Sequence, residues 1–313
     1  MQDLWFSIGA VFPLLVIMAA GFAARRLNWI SGTGARQMNN CIFHMFLPLL
    51  VALNIMDTDA HASLDGGTLL YGFISTVLSF LFLFWLVPKI TSQRDSRGVL
   101  IQGIVRSNYA IFGIPLVMMM YPDKDTSVAA IMVVVAVPVF NVMSTIALMV
   151  NGSAKSDWRQ VVKGVLLNPL IWGTIIGFVF WQTQFKLPAL LMGPLRSMGS
   201  IATPLALFLL GAELDFGKAR ANARLLAIGV IGRLIVMPLV FLSIGIALGI
   251  RDVSLATLIA LFASPVAVTS YPMSQQLGGN ENLAGAIVVF TTALSIITVF
   301  FWVFALKSLG FLS

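Results

Sequence analysis

Two short stretches carry the residue types best suited to holding a ligand. One reads Arg106-Ser107-Asn108-Tyr109-Ala110-Ile111-Phe112-Gly113-Ile114-Pro115. The other reads Ala263-Ser264-Pro265-Val266-Ala267-Val268-Thr269-Ser270-Tyr271-Pro272. Each sets small, polar and helix-breaking residues inside an otherwise apolar run. Proline lacks an amide donor and its ring clashes with the preceding turn. Gly113 adds a permissive backbone just before Pro115. The expected outcome is a pair of interrupted helices, with Pro115 and Pro272 opening the second halves. Backbone groups freed in lipid must be met by protein, water or ligand. The N-terminus of a half-helix carries partial positive charge and suits an anion.

Charge points the same way. Arg106 and Arg233 each lie about eight residues into an apolar run, or about 12 Å deep at 1.5 Å per residue. An intramembrane arginine is costly and functional by default. No carboxylate lies comparably deep, since Asp57 and Glu213 fall near run ends. A substrate carboxylate would supply the partner, with bidentate geometry available. The alternative is donation to backbone carbonyls at the breaks, or snorkelling to the headgroups. Asn141 sits in a neighbouring apolar run and can line the same cavity or bond a neighbouring helix. The expected substrate-binding set is therefore Arg106, Ser107, Asn108, Gly113, Pro115, Asn141, Arg233, Ser264, Pro265, Thr269, Ser270 and Pro272. His44 reads as a hydrogen-bonded packing residue before it reads as a proton relay.

Catalysis finds little support. The chain has two histidines and one cysteine, Cys41, so no Cys-based zinc site and no intrachain disulfide are expected. A Walker loop, a dinucleotide fingerprint and an HExxH motif are all missing from the sequence. A non-enzyme without a cofactor or bound metal is the expectation.

The elements that position these residues follow from composition. Of 313 residues, 59% are hydrophobic and 10% charged, with mean hydropathy +0.96. A soluble domain is nearer half apolar and a quarter charged, so the solvent is lipid and a soluble enzyme is excluded. A span needs roughly 20 apolar residues. Ten such stretches are expected, at about 4–24, 37–56, 67–88, 98–120, 127–150, 161–182, 190–212, 225–249, 253–276 and 283–308. The first is read as a retained helix and not a cleaved signal. The predicted class is an all-α polytopic membrane protein.

The net charge of +7 is topology and not affinity for nucleic acid. Twelve Lys and Arg fall in the connectors after spans 1, 3, 5 and 7, five fall on the opposite side, and Arg106 and Arg233 lie inside spans. The positive-inside rule then puts both termini outside the cell membrane.

A shift of 156 or 157 residues aligns the halves. Pro13 falls on Pro169, Gly21 on Gly177, Pro48 on Pro204, Gly72 on Gly229, Ser107 on Ser264 and Pro115 on Pro272. Residues 1–150 and 151–313 thus read as two five-span repeats. An odd number of spans inverts the second, a plan recurrent in secondary transporters. Symmetry brings spans 4 and 9 together at mid-depth.

On the stretches Ser107 to Pro115, Asn168 to Ile171, Gly199 to Leu214 and Ser264 to Gly279, the chain resembles bacterial members of the auxin efflux carrier family along its whole length. The resemblance implies a scaffold of spans 1, 2, 6 and 7, often the homodimer surface. It implies a mobile transport domain of spans 3–5 and 8–10, with substrate held where spans 4 and 9 cross. The family asparagine of span 4 corresponds to Asn108, and its Gly and Pro to Gly113 and Pro115. Ala110 stands where many members have glycine. Span 9 departs more: it has two prolines, Pro265 and Pro272, and no asparagine in its break. The long cytoplasmic loop of many plant members is missing. The implied partner is a small organic anion, malonate or another dicarboxylate, carried by an elevator motion. Auxin-like aromatic monocarboxylates are the alternative substrate and a channel the alternative mechanism. Coupling to Na⁺ or H⁺ stays open.

Overall fold

A computed structural model describes residues 2–57, 65–152, 158–185, 187–214 and 222–312. The described residues form helices joined by short connectors. They are α1 (Gln2–Arg26), α2 (Gly32–Met56), α3 (Gly66–Ile90), α4 (Arg94–Val105), α5 (Tyr109–Met120), α6 (Ser127–Val150), α7 (Trp158–Leu166), α8 (Pro169–Thr183), α9 (Ala189–Glu213), α10 (Ala223–Ala247), α11 (Asp252–Ala263), α12 (Ser270–Gln276) and α13 (Glu281–Ser308). Among the described residues α2, α3, α6, α9, α10 and α13 are each long and apolar enough to cross a bilayer. Helices α5, α8 and α11 are apolar but shorter. The protein is an all-helical polytopic membrane protein.

Local chemistry sets the helix ends. The Ser31 hydroxyl accepts from the Gly34 amide at 2.9 Å, and Asn280 Oδ1 accepts from the Leu283 amide at 3.1 Å. These side chains meet amides that the first turn leaves without partners. The sixth expected span, 161–182, is two helices. α7 ends at Leu166, and Asn168 then caps α8 by accepting from the Leu170 amide at 2.9 Å, with Pro169 as the first helical residue. The Asn-Pro pair restarts the chain, because proline fits a first turn and the residue before it disfavours helix.

Among the described residues three helices contain a π-turn, at Ile42–Phe46, Tyr109–Gly113 and Gly232–Val236. Each ends two residues before a proline, Pro48, Pro115 or Pro238. The missing amide and the ring pressing on the previous turn favour the wider i→i+5 pattern. Proline alone is not sufficient, since Pro138 and Pro204 lie in helices that remain α.

Two packed groups result. Helices α1, α2, α8 and α9 lie together, with α1 against α9 and α2 against α8. Glycines allow the close approach. A side chain on Gly21 would collide with the backbone at Phe208, and one on Gly177 would lie 2.7 Å from the Ala52 carbonyl. The second group holds α3–α6 and α10–α13, where α6 packs on α3 and α4, and α13 packs on α10 and α11 and, across the two groups, on α1. Large apolar side chains such as Phe82, Trp85, Trp172 and Phe301 remain exposed, as a lipid-facing surface requires.

Candidate functional site at the helix crossing

The chain leaves helical geometry after Val105, where Arg106 adopts φ −73° and ψ 109°. It does so again after Ala263, where Ser264 adopts φ −62° and ψ 153°. The two extended segments meet. Ser107 and Val266 form an antiparallel bridge. The Asn108 amide donates to the Pro265 carbonyl at 2.8 Å, and the Ala267 amide donates to the Arg106 carbonyl at 3.3 Å. The Val266 amide donates to Thr291 Oγ1 on α13 at 3.2 Å. Backbone groups released by the two interruptions thus satisfy each other, the condition for irregular backbone inside a membrane protein.

This pairing distinguishes the two prolines of the second stretch. Pro265 is the proline at the crossing, whereas Pro272 is the third residue of α12. The second halves begin earlier than Pro115 and Pro272, at Tyr109 and Ser270. Pro115 is exposed on α5 and shapes the π-turn. Gly113 is buried against α11, where a Cβ would lie 3.0 Å from that of Ala260.

Arg106 projects into the crossing and is 4% exposed. Its Nη2 donates to Asn141 Oδ1 at 2.9 Å and to Thr269 Oγ1 at 2.8 Å, and its Nη1 approaches Met273 Sδ at 2.9 Å. Its Nε is buried without an acceptor. The Asn108 Nδ2, Ser107 Oγ, Ser270 Oγ and Gln102 Oε1 are also buried without partners. Buried polar atoms normally find partners, so this cluster of unmet ones around two chain breaks makes the crossing the candidate site. Four of the five can donate a hydrogen bond, and one belongs to a guanidinium. Among the described residues Arg106 has no carboxylate in a salt bridge.

Arg233 is different. It is fully buried, and its Nε, Nη1 and Nη2 all donate to main-chain carbonyls. Of the two alternatives for this residue, donation to carbonyls at the breaks is the one seen. Arg106, Ser107, Asn108, Asn141, Pro265, Thr269 and Ser270 thus surround the crossing. Ser264 donates to the Ala260 carbonyl at 2.6 Å and offers its own carbonyl to Arg233.

The family model described as "Membrane transport protein" matches residues 6–159 and 157–303. The chain belongs to this auxin efflux carrier family. An "Uncharacterized transporter YfdV" of Escherichia coli K12 is 20% identical over 96% of this chain and 98% of its own length. An "Uncharacterized transporter" of Methanothermobacter thermautotrophicus is 19% identical over 95% and 97%. A protein of Rhizobium meliloti named "Putative malonate transporter" is 21% identical over 93% of each chain. The chain is a membrane transporter.

Gln102, Thr145 and Thr174, which the sequence did not single out, also make contacts around the crossing. Gln102 Nε2 donates to the Ser270 carbonyl at 3.1 Å and to Ser274 Oγ at 2.6 Å, joining α4 to α12. Thr174 on α8 accepts from Asn141 Nδ2 at 2.9 Å, and Asn168 Nδ2 donates to Thr145 Oγ1 at 2.9 Å. These contacts connect Arg106 and α6 to the group that contains α8. A second link is made by α2 and α9 to α12 and α13. There Glu213 accepts from the Tyr271 hydroxyl and from Gln275 Nε2, and Glu281 pairs with Arg36 at 3.2 Å. Thr145 and Thr174 are polar residues within apolar helices, whereas Arg36 and Glu281 lie near helix starts.

Proposed function

We propose that this family member is a secondary carrier of small organic anions, with dicarboxylates such as malonate as the leading class. One observation carries the reading: the buried, unpartnered donors of Arg106, Ser107, Asn108 and Ser270 converge on the crossing of two interrupted helices. A carboxylate accepts several such bonds, and charge-assisted ones are the strong ones. The second carboxylate of a dianion gives a reason for Arg106 together with the N-terminus of α5. The name of the Rhizobium meliloti relative agrees with this class.

The proposed architecture has ten crossings in two inverted repeats. Contact symmetry supports it. Gly21 rests on the backbone of Phe208, and Gly177 on that of Ala52. Both members of the second pair are displaced by 156 positions from their counterparts in the first, with the order of helices exchanged. In the proposed motion α1, α2, α8 and α9 stay fixed as the scaffold and as the homodimer surface. The group α3–α6 with α10–α13 slides as the transport domain. The site residues are nearly closed from solvent, so this conformation corresponds to an occluded one. Movement would break the Asn141–Thr174 and Thr145–Asn168 bonds and expose the crossing to one side.

Thermal unfolding of purified protein against a panel of mono- and dicarboxylates tests the reading. A substrate raises the transition temperature in a dose-dependent way, and Asn108→Ala weakens that response. A panel in which no carboxylate stabilises the protein would refute the assignment.

A further inference from the structure

We propose that Arg233 is the resident cation of the crossing, a positioning residue that clamps the ends of both interrupted helices where a dissociable cation could otherwise sit. This rests on the carrier reading for its relevance to transport, and on geometry alone for the clamp. Helix α4 stops at Val105 and α11 at Ala263, each buried inside the helix bundle. The last carbonyls of a helix have no partners within it and carry partial negative charge. In a buried crossing such carbonyls need a donor. Arg233 is that donor: Nε donates to the Ser264 carbonyl at 2.7 Å, Nη2 to Leu261 at 2.8 Å, and Nη1 to Val105 at 2.8 Å and to Ile104 at 3.3 Å. One side chain on a third helix, α10, thus ties together the two broken ones.

Two local features deliver it there. Arg233 lies in the π-turn Gly232–Val236, which widens α10 just before Pro238. Gly232 lets α10 approach α4, since a Cβ at that position would already lie 3.0 Å from Ile104 Cγ1. Arg233 is 0% exposed, and among the described residues no carboxylate pairs with it. Its countercharge is the set of carbonyl dipoles. Carbonyl oxygens from unwound helix ends are the ligands that transporters use for monovalent cations. A guanidinium fixed to the chain meets the same oxygens, and it cannot leave during the cycle. The two intramembrane arginines therefore divide their work. Arg233 holds the backbone, and Arg106 keeps an unpartnered Nε beside the vacant donors of the crossing.

Removing the clamp should create a dependence that ordinary core damage would not. Purified Arg233→Ala is compared with wild type and Arg106→Ala by thermal unfolding in choline chloride, with additions of guanidinium, Na⁺ or K⁺ in the millimolar range. Arg233→Ala is expected to unfold at a lower temperature than wild type. Guanidinium should restore several degrees with saturation, Na⁺ or K⁺ less, and neither control should respond. An Arg233→Ala transition that ignores every cation, or one that responds no more than Arg106→Ala, overturns the proposal. If Arg233→Ala cannot be purified, wild type decides: saturable stabilisation by Na⁺ over choline contradicts a resident cation, and indifference supports it. These readouts need no substrate, so failure of the clamp and failure of the carrier reading are distinguishable.

Discussion

The Asn108 amide donates to the Pro265 carbonyl at 2.8 Å, while the Asn108 side-chain Nδ2 is buried without an acceptor. Main chain and side chain therefore have separate tasks. The first locks two interrupted helices together, and under the proposed function the second is available to cargo. Replacement of Asn108 by alanine keeps the lock and removes the donor. The expected result is near-normal folding with substrate affinity lowered about 10- to 100-fold, since a hydrogen bond to a charged group contributes about 1.5–3 kcal/mol. Ligand titration by thermal unfolding measures it, and unchanged affinity would remove Asn108 from the site.

Arg106 supplies charge as well as donors. Arg106→Gln should lower the affinity for dicarboxylates about 10- to 100-fold, because the anion loses a charge-assisted partner. Arg106→Lys should recover part of this, as a point charge without the planar fork. Equal affinities for Gln and Lys variants would mean that charge at this position is irrelevant.

The α1–α9 contact predicts a stability difference between glycines. Gly21→Ala places a methyl group in the backbone of Phe208, and overpacking of this kind costs about 1–3 kcal/mol. Gly193, on the same α9, has open space within 4 Å. Gly193→Ala should be neutral or slightly stabilising, because alanine is the better helix former. Unfolding temperatures of the two variants should separate clearly.

Asp65 caps α3 outside its membrane-spanning segment. Burial pushes its carboxyl up, but bonds from the Ser254 hydroxyl and from Thr68 and Gly67 outweigh this and hold it below the ordinary 3.8. The Ser254 bond to Oδ2, 2.5 Å long, ties the cap to α11. A depressed folded-state value adds stability above the unfolded value and loses it as pH falls through the folded one. Wild type should therefore lose unfolding temperature below about pH 4 more steeply than Asp65→Asn. Parallel curves for the two proteins would exclude this contribution.

Hydropathy made the helices legible, because lipid requires long apolar runs. The Ser, Asn, Thr, Gly and Pro residues of the two interrupted stretches made the break positions legible too. Details set by neighbours were not. The Asn168-Pro169 restart was absorbed into one span because both flanks are apolar. Pro115 looked like a helix start, yet its effect falls on the preceding turn. Gln102, Thr174 and Thr291 are unremarkable polar residues until the fold puts α4 beside α12, α6 beside α8 and α13 beside Val266. For Arg233, depth was legible while its partner stayed open between carboxylate and backbone; the approach of α10 to both breaks decides in favour of carbonyls.

Counterflow in proteoliposomes tests the carrier assignment most directly. Vesicles loaded with an unlabelled dicarboxylate that stabilises the protein are diluted into a trace of the labelled one. The account predicts saturable uptake, accelerated by the internal substrate and reduced at least tenfold by Arg106→Gln. Flux that rises linearly with concentration, ignores the internal substrate and is unchanged in Arg106→Gln would contradict it.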